Sequence, residues 1–268
     1  MRLLLIATAI LLWSFSAHAA PQWWEDLDRN EKSMYSGAAL LAGIATYSIV
    51  ERDAGEHDAH SQSEDWFELR TENGGADKLG HIWSALTISQ AIAEMHRSWG
   101  YGQYEAARRG AWGSFAALTL LEVGDAFTDK GFSPEDFAVN TLGSLAGYWL
   151  YLNPDINRKL DFRAEHSLKN VDGDIFTDFE NLRFFTAIKL SGFDGVRSPW
   201  LKPLEFHIGY YTRGFDGDRS NRQRYLYTGI SFNFSYIADQ LGFRNLARGL
   251  SFVHPPHTTL RYDHGFDD

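Results

Sequence analysis

Three short clusters hold the side chains whose types and spacing can do chemistry. "GGADKLGHIW" carries Asp77, Lys78 and His81; Asp77 and His81 are four apart and share a helix face. "LLEVGDAFTD" carries Glu122 and Asp125, three apart, with Asp129 one turn further on. "SPEDFAVNTLG" carries Asp136 and Asn140, four apart, with Gly143 and Gly147 continuing that face. Three carboxylates and an imidazole can hold a divalent cation. They can also run general acid/base chemistry, with His81 raised by the acids. His81, Glu122, Asp125 and Asp136 are the candidates for such a reaction. The competing account is a hydrogen-bonded polar cluster of Asp77, Lys78, His81, Glu122, Asp125, Asp136 and Asn140 that fixes helix register, the usual reason for burying charge. No HExxH, GxSxG or P-loop is present, so the sequence names neither a reaction nor a metal, and no cofactor is implied.

The elements that must position these residues read as helices. "SMYSGAALLAGIATYSIV" predicts a first helix capped by Ser33, uncharged from 34 to 50 and nearly long enough to span a bilayer. Its Gly37, Ala38, Ala42 and Gly43 allow close helix approach. A second helix is expected from about 77 to 97 and a third from about 104 to 127. A fourth starts at Ser133-Pro134-Glu135-Asp136, with Ser as N-cap, Pro at the first position and acids in the first turn, and stops before Asn153-Pro154. Short links make neighbouring helices antiparallel. The end of the third helix then meets the starts of the second and fourth, so all three clusters are expected at one level. Glu122 and Asp125 sit near a helix C-terminus, against the dipole, and need a cation such as Lys78 or protonated His81.

The second half alternates. "LRFFTAIKL", "LEFHIGYYTRGF" and "RQRYLYTGISFNFSYI" predict strands, the last with Leu226, Ile230, Phe232 and Phe234 on one parity and Tyr225, Tyr227, Gly229, Ser231 and Asn233 on the other. "GFDGDRSNRQ" reads as a hairpin loop and "HTTLRYDHGF" as a further strand. So few strands cannot close a transmembrane barrel, which needs at least about eight. A small sheet packed on the helices is expected, with an edge able to pair with another chain. His207, His254, His257 and His264 are dispersed and read as solvated or sheet-edge histidines. Asp172, Asp174 and Asp178 in "VDGDIFTDFE" lack the Gly and terminal Glu of a calcium loop. Arg108-Arg109-Gly110 reads as an interfacial anchor.

Composition supplies the surroundings. Arg2, an apolar run from 3 to 15 and Ala17-His18-Ala19 form an export leader over residues 1–20. The chain has no cysteine, which excludes disulfides, thiolate metal sites and a lipid on an N-terminal Cys. Net charge is −10, and losing the leader's single Arg2 takes it to −11, which repels phosphate backbones and excludes nucleic acid as a partner. Aromatic content of 15% suits a membrane interface as well as a core.

"GADKLGHIWSA" followed by "LEVGDAFTDKGFSPEDFAVNTLG" resembles the YfiM-type family of envelope proteins, and more distantly the VanZ-like membrane family. The resemblance rests on Asp77, Lys78, His81, Glu122, Asp125, Ser133, Asp136, Asn140 and Gly143, and covers about residues 74–150. It implies an envelope protein with no established reaction. YfiM-type members are often described as lipoproteins, from which a chain without Cys departs. The expected architecture is α+β: a leader at 1–20, a Gly-rich apolar four-helix bundle within 21–155, and a small antiparallel sheet within 156–268. The expected function is a structural or interaction role at a membrane, exported to the periplasm or the outer membrane of a Gram-negative-type envelope. Its partners would be a membrane, another envelope protein, or a second copy through a strand edge. The alternatives are an enzyme modifying an envelope lipid or glycan through the polar cluster, and a binding module for an apolar ligand.

Overall fold

The computed structural model describes residues 21–52, 54–55, 57–169, 175, 177–217 and 219–267. The leader lies outside the described residues, as do Asp172 and Asp174. The chain is α+β and divides into two compact units. One comprises the described part of Met1–Glu64 with Ser84–Leu152; the other comprises Asp65–Trp83 with Asn153–Asp268.

The first unit is helical. After a single turn, α1 (Gln22–Glu25), comes α2 (Arg29–Glu51). It begins four residues before Ser33 because Asp28 and Glu31 form a capping box. Asp28 accepts from the backbone of Asn30 and Glu31 at 2.6 and 3.0 Å, and Glu31 accepts from Asp28 N at 2.8 Å. Ser33 lies inside the helix instead, where it meets His96 Nε2 at 2.9 Å and accepts from Arg109 at 3.0 Å. Arg109, only partly buried, donates that bond, and its guanidinium lies 4.4 Å from the Tyr101 ring centroid. The unit also takes α3 (Ala76–Ser98) from Ser84 onward, α4 (Gln103–Asp125) and α5 (Pro134–Leu152). The start of α5 is as expected: Ser133 Oγ accepts from Asp136 N at 3.2 Å. Ile44, Ala85, Ala117, Leu118 and Leu121 form its apolar core.

Where α3, α4 and α5 meet, the side chains are small. A Cβ on Gly110 would lie 2.2 Å from Ser89 O, and one on Gly147 would lie 2.7 Å from Ser89 Cβ. Hydroxyls link the helices: Ser114 donates to Ala85 O at 2.8 Å, Ser144 to Ser114 Oγ at 3.0 Å, and Ser89 to Ser144 O at 3.3 Å. Large apolar side chains such as Trp112, Leu142, Leu145 and Trp149 face outward. Of the helices, α2 alone among the described residues is long and apolar enough to cross a membrane.

The second unit is built on a five-stranded antiparallel meander, ordered β1 to β5: β1 (Leu160–His166), β2 (Leu182–Lys189), β3 (Leu204–Arg213), β4 (Gln223–Phe232) and β5 (Leu260–Gly265). A short turn, α6 (Pro154–Asn157), precedes β1. Two features depart from the sequence reading. The strand β1 is not among the expected strands; charged Asp161, Arg163 and Glu165 alternate along it. The last long strand candidate ends at Phe232, where Asn233 caps a helix, α7 (Phe234–Gln240), by accepting from Tyr236 N at 3.0 Å. A further short helix, α8 (Arg244–Gly249), follows. Backbone pairing of Ala164 with Phe252 and His254 then places residues 252–254 along β1.

The register puts Asp161, Arg163 and Glu165 on one face with Arg183, Lys189, Glu205, His207, Tyr227 and Ser231. That polar face is buried; of the opposite parity, Ala164, Leu182, Phe184 and Tyr210 are buried too, while Phe206, Ile208, Ile230, Phe232, Leu260 and Tyr262 are exposed.

Candidate functional site

The helix-end residues divide between the units. Asp77, Lys78 and His81 group with the sheet, on the first two turns of α3. Gly74 and Gly75, at φ +63° and +86°, lead into that helix. Added side chains there would strike Phe215 and Phe67, so the tight entry requires glycine. The Tyr210 hydroxyl donates to Gly74 O, and Arg222 donates to the carbonyls of Leu69 and Thr71 at 3.0 and 2.7 Å. Lys78, 1% exposed, pairs with Asp77 at 2.9 Å. His81 is half-buried.

Glu122, Asp125, Asp136 and Asn140 belong to the helical unit and are all buried. Asn140 Nδ2 donates to Glu122 Oε1 at 3.3 Å, tying α5 to α4. Asp125, against the helix dipole, pairs with Arg52 at 2.8 Å. Arg52 is the C-cap residue immediately after α2. Nearby, Ser63 donates to Glu135 at 2.5 Å and the backbone of 60–62 pairs with Phe132, so this end of the unit is covered by the loop after α2. Within single units the structure therefore joins Asp77 to Lys78, Glu122 to Asn140, and Asp136 to its Ser133 cap.

A second polar constellation lies on the buried face of the sheet. Arg163, with no exposed surface, reaches Asp161 at 2.5 Å and Glu205 at 2.9 Å. Asp161 also takes Lys189 at 2.5 Å, and Glu165 takes Arg183 at 2.9 Å. Glu205 Oε1 accepts from His207 Nε2 at 2.8 Å, and His254 Nδ1 lies 3.6 Å from the same oxygen. His207 and His254 are thus not solvated or edge histidines. They are 1% and 4% exposed, whereas His257 and His264 are exposed as expected. The reason is strand parity: Glu205 and His207 are two apart on β3 and so share its inward face. The E-x-H spacing was visible in the sequence, but its inward direction was not. Burial, with His207 and Arg163 adding to it, pushes His254 down to about 3, so its ring is neutral. Burial likewise pushes the Tyr227 hydroxyl far up, and that hydroxyl makes no hydrogen bond among the described residues. Asp178, from the acidic loop, pairs with His166 at 2.9 Å.

Residues 63–152 match the model of a family described as "Predicted periplasmic lipoprotein (DUF2279)", whose function is unknown. The matched stretch contains all seven helix-end residues. It agrees with the leader: the protein is exported and periplasmic or envelope-associated. The more distant VanZ-like resemblance gains no support. No curated protein and no solved structure matches the chain.

Proposed function

From a segment of a periplasmic lipoprotein family on a chain with no cysteine to carry a lipid, we propose a structural and interaction protein that rests against a membrane surface through the outer face of its sheet. The inversion of strand parity carries this reading. Leu260 and Tyr262 of β5 are 82% and 74% exposed, while Glu205 and His207 of β3, one strand removed and of the opposite parity, are buried. Contiguous exposed apolar surface marks an interaction site. The net charge of −10 gives no electrostatic pull toward an anionic bilayer, so apolar contact must supply the affinity. The mature protein should float with phosphatidylethanolamine–phosphatidylglycerol vesicles, and added salt should not release it. A Phe232→Glu, Leu260→Glu variant, altered only at exposed positions, should stay folded and lose most of the vesicle-bound fraction. A wild type that does not float, or a variant that floats equally well, refutes the assignment.

For the helix ends we propose that the four long helices form one bundle and that the polar cluster fixes their register rather than performing a reaction. The sequence argument for antiparallel neighbours and the burial of Glu122 and Asp136 support this. Glu122→Gln and Asp136→Asn should each cost roughly 3 to 5 kcal/mol, as loss of one member of a buried charged network does. The abundance of the protein in the envelope should fall with them. A His81→Gln protein that keeps its melting temperature and abundance but loses a knockout-complementing phenotype would instead make His81 a reactive or ligating group.

A further inference from the structure

We propose that Glu205, His207 and His254 form a binding site for a divalent transition cation of the zinc class. Ser231 Oγ donates its one hydrogen to Thr258 O at 3.0 Å, and Thr258 Oγ1 donates its own to Pro255 O at 2.8 Å. Both hydroxyl oxygens also lie against His254 Nε2, at 3.1 and 2.9 Å. Neither has a hydrogen left to give, and the third hydroxyl near Nε2, Thr259 Oγ1, is farther off at 3.4 Å and equally near His207 Nδ1; His254 Nε2 is therefore assigned as the donor to the two close oxygens. In the neutral ring Nδ1 then carries a bare lone pair. That lone pair has no hydrogen-bond partner among the described residues and lies 3.6 Å from the Glu205 carboxylate. Two acceptors are held together where water does not reach, which is unfavourable unless a cation lies between them.

The rest of the site fits a metal. Glu205 Oε1 is engaged by Arg163 and His207, but Oε2 makes no hydrogen bond and remains as a donor. Glu205, His207 and His254 each offer a ligand atom within 4.8 Å of the others, and the two ring nitrogens lie 2.8 and 3.6 Å from Oε1 of the same carboxylate. A tetrahedral site with bonds near 2 Å places its ligands about 3.3 Å apart, inside that range. To bind, His207 moves its hydrogen from Nε2 to Nδ1, where Thr259 Oγ1 waits at 3.4 Å to accept it. Each imidazole would then donate its outer N–H to a hydroxyl, the arrangement that orients metal-bound histidines. Two imidazoles and a carboxylate select zinc, nickel or copper over calcium or magnesium, and leave a fourth position open. Since Arg163 already offsets the Glu205 charge, that position favours an anionic ligand such as hydroxide.

The test uses the full mature chain stripped with a chelator and given zinc or cobalt alone. Cobalt should produce the visible absorption of a four-coordinate site, saturating at an equimolar ratio. Zinc at a hundredfold excess over Kd should raise the folding equilibrium constant by about 100-fold, read as a higher Tm. His254→Ala should abolish both effects. X-ray absorption of the zinc-loaded wild type should show two imidazole ligands, and this holds even if His254→Ala fails to fold. Absence of metal uptake, a spectrum with fewer than two imidazoles, or unchanged binding by a folded His254→Ala protein would overturn the assignment.

Discussion

The closest approaches between α3, α4 and α5 are made at glycine and serine; the buried face of the sheet carries arginine, glutamate, aspartate and histidine beside an apolar cluster of Phe185, Ala187, Tyr211 and Tyr227. Both units turn bulky apolar side chains outward, Trp112, Leu142 and Trp149 in one and Phe206, Ile208 and Leu260 in the other. They hold together by different means. Small side chains let helix backbones approach until the hydroxyls of Ser89, Ser114 and Ser144 join them. The sheet instead alternates charges so that each buried ion touches its opposite. The first design tolerates no added atom, and the second tolerates no lost charge.

The largest test of this contrast is Arg163→Met. It keeps much of the side-chain volume and leaves the buried carboxylates of Asp161 and Glu205 without the cation they share. The expected loss is about 3 to 5 kcal/mol, measured by denaturant unfolding. Arg158→Ala, which breaks an exposed pair with Asp194, should leave the midpoint unchanged. Equal midpoints for the two variants would mean that the buried lattice does not hold the sheet unit together.

In the helical unit the corresponding change adds an atom. Gly110→Ala places a methyl 2.2 Å from Ser89 O, a clash with backbone that a rotamer change cannot relieve. Overpacking of this kind costs about 1 to 3 kcal/mol. Gly100→Ala would be an unsuitable control, because Gly100 has φ +86° and is strained by any side chain. Gly37, exposed inside α2 with open space around it and no positive φ, is the better one and should be neutral to slightly stabilising. A neutral Gly110→Ala would show that α3 and α4 can part without cost.

The smallest effect is on pH. His254 in the sheet unit and His96 in the helical unit both have depressed folded-state pKa values, chiefly through burial. For each, the unfolded chain takes up a proton below about pH 6.5 while the folded chain does not. Their stability contribution is complete above pH 6.5 and is lost as pH falls, for His254 continuing to about pH 3. Each contributes up to about tenfold in the unfolding constant per pH unit within its window. Stability measured from pH 7 to 4 in the metal-free protein should fall, and His254→Gln should reduce the slope by one proton. An unchanged slope would place a proton on folded His254.

The helices were legible because their signals are local. Uncharged runs, the Ser133-Pro134-Glu135-Asp136 start and the Asn153-Pro154 stop each lie within a few residues. Even so, the start of α2 was placed at Ser33 rather than Arg29, since Asp28 and Glu31 form an equally local capping box. The strands β2, β3 and β5 were legible from alternation. The β1 strand was missed because alternation of charge reads as solvent exposure until the partners are known. Arg163 and Glu205 are 42 positions apart, and nothing in either neighbourhood announces the other.

By itself, then, the sequence determined the α+β class, the export leader, the absence of thiol chemistry and the positions of the helix-end acids and His81. Those follow from periodicity, capping and composition, which act over one or two turns of chain. Tertiary structure decided which strand face is buried, and so turned Glu205 and His207 inward to meet His254. Alternation tells that two faces differ but not which faces the interior, because the free energy of burial depends on partners that only folding brings together. The same holds for Arg52 and Asp125: each residue reads as an exposed charge alone, and their 2.8 Å pairing exists only once α2 and α4 are packed.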